Sequence, residues 1–539
     1  MKKLLLLCAL LAAAATEAQT VWTADLGNGK YKNPVLYADY SDPDLIRVGE
    51  DYWMTASSFN HTPGLQILHS TDLVNWELVN TVFLKQEPAA YFDKPAHGDG
   101  VWAPAIRYHE GTYYIYWGDP DFGIYMTKTD NPRGEWSKPY LVKAAKGIID
   151  TCPLWDDDGK AYMVHGWAGS RAGFKSVLSV SEMTPDGTRL FGDEVLILDG
   201  HGDHPTVEGP KFYKRNGWYY VFAPAGGVKP GWQIVLRSKS PFGPYEVRTV
   251  LHQGDTDIPG PHQGGWVDDV EGNHWFMHFV DMYAYGRVAH LQPLTWTEDD
   301  WCIIGIDRNG DGIGEPVHTF RKPAGQSVVM TPADSDEFSS RKLGLQWQWP
   351  ANPQTGWFFT NPTDGELRLY CKHFEGARSL WDVPNLLLQK VNAPTYTVTT
   401  KMRFHGSYDG DRAGLTMMGY DYATIGFELR DGKVYLNQSV CDRANKGGTE
   451  LKNEEVELAG NEAWLRCRIE LGRNEDGTPR MNCTFLYSLD GKKFKPLGKL
   501  FTGREGHWIG AKIGYYATAE IQKNDGGWTD IDWFRTSAK

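Results

Sequence analysis

The chain has 539 residues and a formal net charge of −13, from 55 Lys and Arg against 68 Asp and Glu. Its 41% hydrophobic and 23% charged residues exclude an intrinsically disordered protein. An acidic chain without a basic run also lacks the positive surface that binds nucleic acid or anionic membranes. Aromatic residues are abundant at 13%, which favours strands. Such rings can stack on the apolar faces of sugars, but we expect most of them simply to be core.

The N-terminus predicts a secretory signal peptide over residues 1–18. Lys2 and Lys3 are followed by an apolar run over residues 4–15 and by the small residue Ala18 at the cleavage position. This run is too short to span a bilayer, which needs about 20 residues, and no later stretch approaches that length. We therefore expect the mature protein to be secreted or periplasmic, without a membrane span.

A pattern of two strands and a tight turn occurs five times in the first three hundred residues. Each copy has a short apolar strand, a polar turn with Gly or Asp, and an aromatic-rich strand. The copies cover residues 42–53, 102–114, 149–162, 208–220 and 262–276. Since an isolated hairpin is marginal, further strands must complete each unit. These units predict a five-bladed β-propeller over residues 19–320, because a row of β-sandwich modules would need units of about 100 residues.

The pattern changes after this repeat. Residues 321–334 carry two prolines and no clear period, and we interpret them as a linker. In the stretch that follows, Tyr396, Val398, Met402 and Phe404 alternate with polar residues, so one face of a strand is apolar. Many short strands without a helical pattern predict an antiparallel β-sandwich over residues 335–539. The predicted fold class is all-β.

Three acidic residues occupy similar places in the repeat. Counted back from the aromatic residue of the second strand, which is Tyr219 in the fourth copy, Asp42 and Glu208 lie 11 residues away and Asp150 lies 12 away. If the first strand of each hairpin is innermost, these acids converge on one mouth of the central channel. Crowded acids lose hydration and repel one another, which separates their pKa values. Glycoside hydrolysis needs such a pair, although an aspartate at a strand entry also makes local turn bonds.

A set of short motifs stands in a distinctive order over residues 33–320. They are Asn33-Pro34-Val35-Leu36, Ser41-Asp42-Pro43-Asp44, Trp102-Ala103-Pro104, Ile149-Asp150 with Asp156-Asp157-Asp158-Gly159, and Val207-Glu208-Gly209-Pro210. Together they resemble glycoside hydrolase family 43. The stretch TPGLQILHS at 62–70 resembles its β-xylosidase and α-L-arabinofuranosidase members. In the second domain, LQWQW at 345–349 and WIGAKIG at 508–514 resemble the concanavalin-like sandwich that follows the propeller in those exo-acting enzymes.

Transferred position by position, the resemblance implies that Asp42 is the general base and Glu208 the general acid. Asp150 would orient Glu208 and raise its pKa. This role agrees with electrostatics, since a second negative charge keeps a neighbouring carboxylic acid protonated. The resemblance also implies inversion, with base and acid about 6.5–9.5 Å apart to leave room for water. It implies no cofactor for the chemistry.

Further roles follow from the same resemblance. Trp102, Phe59 and Arg287 are candidate sugar-binding residues, with core packing or a surface ion pair as the alternatives. His262 resembles a channel histidine that helps to hold a hydrated calcium ion, and it is also a candidate substrate contact. A lone histidine is more often a hydrogen-bonded structural residue. In the sandwich, the candidates to share a structural calcium ion are Asp336 and Asp532.

The leading hypothesis is an exported, inverting exo-glycosidase that removes terminal α-L-arabinofuranosyl or β-D-xylosyl residues from arabinan, arabinoxylan or xylan fragments. One alternative is a carbohydrate-binding propeller without catalysis. Another is a β-fructofuranosidase-like enzyme, which would carry Arg-Asp-Pro and Glu-Cys where this chain has Ile149-Asp150-Thr151 and Glu208-Gly209. The sandwich either binds polysaccharide or closes the propeller pocket, and its aromatics Trp347, Trp349 and Trp357 do not separate these roles.

Overall fold

The computed structural model describes residues 20–538, which are mainly β-structure. The predicted signal peptide and its cleavage position lie outside the described residues. Within the described range, no helix has the length and apolar character to cross a membrane. The helical segments of this range are α1 (Ala89–Phe92), α2 (Gly169–Ala172) and the 3-10 turns Tyr283–Tyr285, Leu380–Asp382 and Ala444–Lys446.

Four consecutive antiparallel sheets form the first four blades of a propeller, and the strands of each sheet follow chain order. Two strands precede them, β1 (Lys30–Lys32) and β2 (Leu36–Asp39). Blades one and two contain β3 (Asp44–Val48), β4 (Asp51–Thr55), β5 (Gly64–Ser70), β6 (Glu77–Phe83), β7 (Trp102–His109), β8 (Thr112–Asp119), β9 (Gly123–Thr129) and β10 (Tyr140–Ala144). Blades three and four contain β11 (Ile148–Trp155), β12 (Ala161–Trp167), β13 (Val177–Met183), β14 (Leu190–Asp199), β15 (Lys211–Arg215), β16 (Trp218–Ala225), β17 (Trp232–Ser238) and β18 (Glu246–Leu251).

The fifth blade joins the two ends of the propeller sequence. Its strands are β19 (His262–Asp268), β20 (His274–Asp281) and β21 (Arg287–Trp296), with β22 (Cys302–Ile304) paired to β21. The early strand β2 completes the blade by pairing with β21, as Leu36 lies opposite Ala289. Strand β1 also pairs with β23 (Thr319–Arg321). The propeller is therefore closed by backbone hydrogen bonds between its first and last segments, which leaves few free edges.

The first strand of each blade lies at the propeller axis. Around the axis, β3 contacts β7 and β19, and β11 contacts β7 and β15. Apolar side chains fill the space between the blades: Trp53 and Ile67 of blade one pack with Ile115 and Trp117 of blade two. The five predicted hairpins and the five-bladed propeller are therefore confirmed. As predicted, many aromatic rings are core, and Trp275 is 1% exposed.

The second domain is a sandwich of two antiparallel sheets. One sheet has the order β24-β25-β37-β27-β32-β33-β34, with β35 also paired to β33, and the other has the order β26-β36-β28-β29-β30-β31. The strands are β24 (Phe358–Asn361), β25 (Glu366–Tyr370), β26 (Leu387–Lys390), β27 (Tyr396–His405), β28 (Arg412–Met418), β29 (Tyr422–Arg430), β30 (Lys433–Cys441), β31 (Leu451–Leu458), β32 (Glu462–Arg473), β33 (Pro479–Ser488), β34 (Lys495–Pro496), β35 (Phe501–Gly503), β36 (Lys512–Thr518) and β37 (Trp528–Ala538). The alternation predicted for β27 is present, since its apolar residues are buried.

The sandwich packs directly on the propeller. Residues 322–335 contain no helix or strand. Beyond them, Trp349 forms a β-bridge with Thr62 of blade one, and the Asn60 side chain donates to the Pro350 carbonyl at 2.6 Å. On the other side, the backbone of Ala511 donates to the carbonyl of Ala284 in blade five. These contacts hold one end of the sandwich against the side of the propeller where the predicted acids begin their strands.

Candidate active site

Each innermost strand of the propeller has a left-handed residue at its entry. The residues and their φ angles are Asp42 (55°), Ala103 (34°), Asp150 (59°), Gly209 (59°) and Gln263 (21°). The pairing register shifts beside this point in blades two, three and five, as in a β-bulge. Non-glycine residues rarely adopt this conformation, and bulges re-aim side chains next to functional sites. The same local distortion therefore repeats around one mouth of the channel.

This register corrects the predicted alignment of Glu208. Asp42 occupies the left-handed place in blade one, whereas in blade four that place is Gly209 and Glu208 precedes it. The aromatic residue from which Glu208 was counted, Tyr219, was wrong by one position. The fourth residue after Gly209 is Tyr213, and it pairs with Tyr220. In blade one, the fourth residue after Asp42 pairs with Trp53, the aromatic residue used for counting there. Because Tyr219 and Tyr220 are adjacent tyrosines, counting along the sequence does not separate them.

The three acids nevertheless meet. Asp42, Asp150 and Glu208 all line one cavity of about 100 Å³ at the mouth of the channel. Phe59 and Arg287 line the same cavity. The structure thus brings acids from three blades to one place, although more than 160 residues separate the first from the last. Such a concentration of carboxyl groups is unfavourable for stability and is typical of catalytic sites.

Asp42 is held by two hydroxyl groups. The Ser41 and Ser57 hydroxyls donate to its Oδ2 at 2.7 and 2.6 Å. Its other oxygen, Oδ1, lies 3.8 Å from Arg287 Nη1, which itself donates to the Ser41 hydroxyl at 2.7 Å. Oδ2 is therefore committed to the protein, while Oδ1 carries no short hydrogen bond among the described residues. Oδ1 is the oxygen left to accept a hydrogen bond from a ligand or water.

Asp150 is tied to the loop that carries Glu208. The Gly209 backbone N–H donates to Asp150 Oδ2 at 2.8 Å, and Gln263 Nε2 lies 3.5 Å from the same oxygen. Gly209 has to be glycine, because a Cβ there would lie 2.5 Å from Gln263 Cγ. Burial raises the pKa of Asp150, and the charge of Asp42 adds to the rise. Asp150 therefore both positions the strand entry beside Glu208 and repels negative charge there.

Glu208 is an acid whose pKa is held well above its ordinary range. Burial raises its pKa to about 8, with Asp150 and then Asp42 as the next causes. Its side chain is 32% exposed, all the same, because the cavity opens to solvent. His262 Nε2 lies 3.5 Å from Glu208 Oε1, but burial lowers the pKa of His262 to about 3. The imidazole is therefore neutral at pH 7 and does not form an ion pair with Glu208.

Aromatic rings close the cavity, and one of them comes from the sandwich. Phe59 is 3% exposed and contacts Trp102 edge-on at 6.5 Å between ring centroids. Trp102 in turn contacts Trp508 at 6.1 Å, and Arg287 lies over the Trp508 ring at 5.7 Å. Trp508 itself is 43% exposed. Phe59 and Trp102 therefore serve as both core and cavity wall, and the second domain supplies part of the mouth.

Comparison with known proteins agrees with this geometry. The profile of Glycosyl hydrolases family 43 matches residues 31–302, and the profile of the beta xylosidase C-terminal Concanavalin A-like domain matches residues 335–537. The chain belongs to glycosyl hydrolases family 43. Both matches follow the division into propeller and sandwich, and the predicted family membership is confirmed.

Proteins similar to this family 43 chain carry two kinds of name. A putative beta-xylosidase of Xylanibacter ruminicola is 38% identical and covers 93% of this chain and 89% of its own length. A non-reducing end alpha-L-arabinofuranosidase of Bacteroides ovatus is 28% identical, covering 95% and 96%. Among solved structures, a GH43 protein of Bacillus licheniformis has a TM-score of 0.81 at 26% identity and covers 95% of this chain and 100% of its own. The protein is thus a glycosidase that acts on xylan or arabinan oligosaccharides.

The candidate metal ligands in the sandwich, Asp336 and Asp532, each have partners within the protein. Asp336 accepts hydrogen bonds from the Phe338 backbone and the Trp347 indole, and Asp532 pairs with Lys401 at 2.8 Å. In residues 20–538, no group of three or more His, Cys, Asp or Glu side chains is arranged to hold a metal ion. The structure therefore gives no ligand set for a calcium ion shared by Asp336 and Asp532.

Sequence reasoning missed the role of Trp508, although its motif was part of the family resemblance. The residue lies in a loop that the propeller fixes: the His97 carbonyl lies 2.8 Å from His507 Nδ1, and the Gly510 N–H donates to Asp39 Oδ2 at 3.0 Å. Gly510 allows this approach, because a Cβ there would lie 2.6 Å from the Gly286 nitrogen. In the sequence, Gly510 two residues after Trp508 was the feature that could have indicated a close contact of this loop with another segment.

Proposed function

We propose that this protein is an inverting exo-glycosidase with Glu208 as general acid and Asp42 as general base. The observation that carries the proposal is the raised pKa of Glu208 in the cavity that also holds Asp42. At neutral pH Glu208 carries the proton that the leaving glycosidic oxygen requires. Asp42 contributes a carboxyl oxygen, Oδ1, without a short protein partner. Glycoside hydrolysis requires one acid and one base that flank the same glycosidic bond.

The proposed reaction proceeds in one displacement. Water gives a proton to Asp42 Oδ1 and attacks the anomeric carbon, while Glu208 gives its proton to the departing glycosidic oxygen. The C–O bond to the leaving group breaks as the bond to water forms, so the product has the opposite anomeric configuration. Burial keeps Glu208 protonated, the charge of Asp150 adds to this effect, and Asp150 holds the Gly209 backbone in place. Solvent then returns the proton to Glu208 and removes the proton from Asp42.

The substrate we propose is a terminal β-D-xylosyl residue of a xylan fragment. A cavity of about 100 Å³ lies well below the 300–1,000 Å³ of sites that hold larger ligands, which favours one terminal sugar over an internal chain segment. The relative at 38% identity is named a putative beta-xylosidase, and another at 33% identity is named a beta-xylosidase. Terminal α-L-arabinofuranosyl residues are the second candidate, because the Bacteroides ovatus relative carries that name.

Two earlier alternatives are now less well supported. Family membership argues against a β-fructofuranosidase-like enzyme. A binding propeller without catalysis has no use for a raised Glu208 pKa. Residues 1–18 have the pattern of a signal peptide, and we propose a secreted or periplasmic location on that basis.

One residue close to the acids, His262, could help to hold a hydrated calcium ion. Both ring nitrogens of His262 are buried without a partner among the described residues, and the neutral imidazole can accept a hydrogen bond from a metal-bound water. Bound there, calcium would supply positive charge near the three carboxyl groups. His262 would hold it only through water, since no cluster of three ligating side chains exists in residues 20–538.

Comparative hydrolysis tests this proposal. We expect turnover of 4-nitrophenyl β-D-xyloside, and slower or absent turnover of 4-nitrophenyl α-L-arabinofuranoside. Proton NMR of 4-nitrophenyl β-D-xyloside hydrolysis, in which the only xylose released is the terminal residue, should show the α-anomer of xylose first, before mutarotation. Immediate appearance of the β-anomer would refute inversion. Failure to hydrolyse either substrate or xylan and arabinan fragments would refute the glycosidase assignment and favour the binding alternative.

A further inference from the structure

The sandwich carries a cavity of about 420 Å³ that lies apart from the three acids. It is bounded by β24 and β25, by Tyr408 and by the loop of residues 519–527, and we call it the sandwich cleft. Its volume falls within the range of sites that hold oligosaccharide-sized ligands. β24 is an edge strand, so the cleft is open at one side.

Exposed rings and apolar side chains line the sandwich cleft. Phe359 is 52% exposed, Tyr408 is 39% exposed and Ile521 is 49% exposed. Tyr370 is half-buried beside them. Three other aromatics of the domain are core: Trp347, Trp349 and Trp357 are 1%, 2% and 5% exposed. The exposed Trp508 lies at the propeller mouth. If the sandwich binds sugar away from that mouth, Phe359 and Tyr408 are rings that can do so.

Polar groups without intramolecular partners line the same cleft. In the described residues, no hydrogen bond satisfies the side chains of Asn524 and Asp525, which line the cleft. Lys372 lies over the Tyr370 ring and Lys523 over the Tyr408 ring, and both bring ammonium donors to the cleft. Hydrogen-bond donors and acceptors without protein partners, next to exposed rings, can bind a ligand that has both apolar faces and hydroxyl groups.

The second large cavity of the molecule provides a contrast. It measures about 360 Å³ and lies at the far end of the propeller channel. There the charged groups are already paired, for example Arg47 with Asp268 and Lys214 with Asp156. A ligand would have to break these pairs. The sandwich cleft requires no such loss, and this difference selects it as the binding site.

We propose that the sandwich cleft binds an internal segment of a neutral, β-linked pentose polysaccharide. The ligand class rests on the proposed function, because the polymer whose end enters the propeller pocket also presents internal residues. Charge supports a neutral ligand: Lys372 and Lys523 balance Asp411 and Asp525 around the cleft. A protein partner would need about 800 Å² of complementary surface, and three exposed side chains separated by polar groups do not provide it.

Retention on insoluble xylan tests the proposal in the full-length chain. Glu208→Gln prevents degradation of the matrix, and Phe359→Ala and Tyr408→Ala are added to it separately. We expect each to weaken retention about three- to tenfold, as loss of one aromatic contact does. Leu489→Ala is the matched control, since Leu489 is 59% exposed on the same domain but does not line the cleft. Tyr408→Phe keeps the ring and should keep retention.

Turnover separates this proposal from the previous one. With Glu208 restored, Phe359→Ala and Tyr408→Ala should leave kcat/KM on 4-nitrophenyl β-D-xyloside unchanged, since that substrate reaches only the propeller pocket. Equal retention of the cleft variants and Leu489→Ala would overturn the sandwich site while leaving the glycosidase intact. Absence of aryl-glycoside turnover in the unmodified chain would instead overturn the proposed function. Equal melting temperatures of the variants confirm that the retention values compare folded proteins.

Discussion

The two ends of the propeller channel are built from the same five strands but treat charge in opposite ways. At the mouth, Asp42, Asp150 and Glu208 share one cavity, and burial and mutual repulsion raise the pKa of Glu208. Three to five residues further along the strands, the far end also carries charged groups. There Arg47 and Asp268 form a paired contact through two hydrogen bonds of 3.0 and 2.6 Å.

This difference separates stability from chemistry within one scaffold. The charges at the far end form ion pairs with one another, so no ligand is needed to balance them. Crowded acids at the mouth destabilise the folded state slightly, and in the proposed mechanism they supply the protonated acid that hydrolysis needs near neutral pH. The left-handed strand entries at Asp42 and Asp150 are part of the same arrangement, since backbone strain is concentrated at functional sites.

The largest effect should come from removing the acid at the mouth. Glu208→Gln cannot donate a proton, and general acid catalysis is worth about 10²–10⁴ in rate. We therefore expect kcat/KM on xylobiose to fall by about that factor, while binding of xylose at the pocket persists. The matched control is Glu246→Gln, a surface glutamate of blade four paired with Arg237. Normal turnover by Glu208→Gln would remove it as the acid.

The same variant should be more stable than the parent in alkaline solution. The folded chain holds the Glu208 proton up to about pH 8, whereas the unfolded chain releases it near 4.5. Folded protein thus binds more protons between these values, and its stability falls as the pH rises through them. Gln does not ionise, so the melting temperature of Glu208→Gln relative to the parent should be higher at pH 9 than at pH 4. A constant difference across pH would contradict the raised pKa.

A smaller effect should follow when the repulsion is removed but the acid is kept. Burial is the main cause of the raised pKa of Glu208, and Asp150→Asn deletes the charge that is the second cause, while its amide oxygen can still accept the Gly209 N–H. The alkaline limb of the kcat/KM profile should move to lower pH by about one unit, which costs up to about tenfold in rate above neutral pH. If activity is lost but the alkaline limb of the kcat/KM profile stays at the same pH, Asp150 has a purely positional role.

How much of this contrast the sequence predicts depends on how far apart along the chain the residues involved lie. The hairpins of the blades are local, so alternation and turn residues predict them. The closing pair of β2 with β21 joins residues about 250 positions apart, and four residues of strand give too little pattern to find it. The far-end pair of Arg47 and Asp268 is non-local as well, and nothing in their neighbourhoods connects them.

At the mouth, the sequence predicts which acids meet but not how they are held. Asp42 and Asp150 share a repeat position, whereas Glu208 lies one residue earlier than predicted because two adjacent tyrosines obscure the register. The hydroxyl groups on Asp42 come from its neighbour Ser41 and from Ser57 after the next strand. Trp508 belongs to another domain, so no repeat of the propeller points to it.

The support of the base provides a finer test of the mouth. Ser57→Ala removes a hydroxyl that donates to Asp42 Oδ2 and accepts the Ala103 N–H. A hydrogen bond to a charged group is worth about 1.5–3 kcal/mol, so kcat/KM should fall about ten- to hundredfold. Ser58→Ala is the control, since its buried hydroxyl accepts the Leu65 N–H and does not contact Asp42. Equal losses in both variants would indicate a general packing defect.

The smallest effect should come from breaking a pair at the far end. Arg47→Ala leaves Asp268 unpaired, but their side chains are 27% and 38% exposed, so solvent screening limits the loss of unfolding free energy to about 0.5 kcal/mol. Activity should not change, because no acid of the mouth contacts this pair. Urea denaturation and xyloside kinetics measure the two quantities, and a double-mutant cycle with Asp268→Asn isolates the pair. A fall in kcat/KM would show that the two ends are coupled through their shared strands, and the separation of stability from chemistry would then fail.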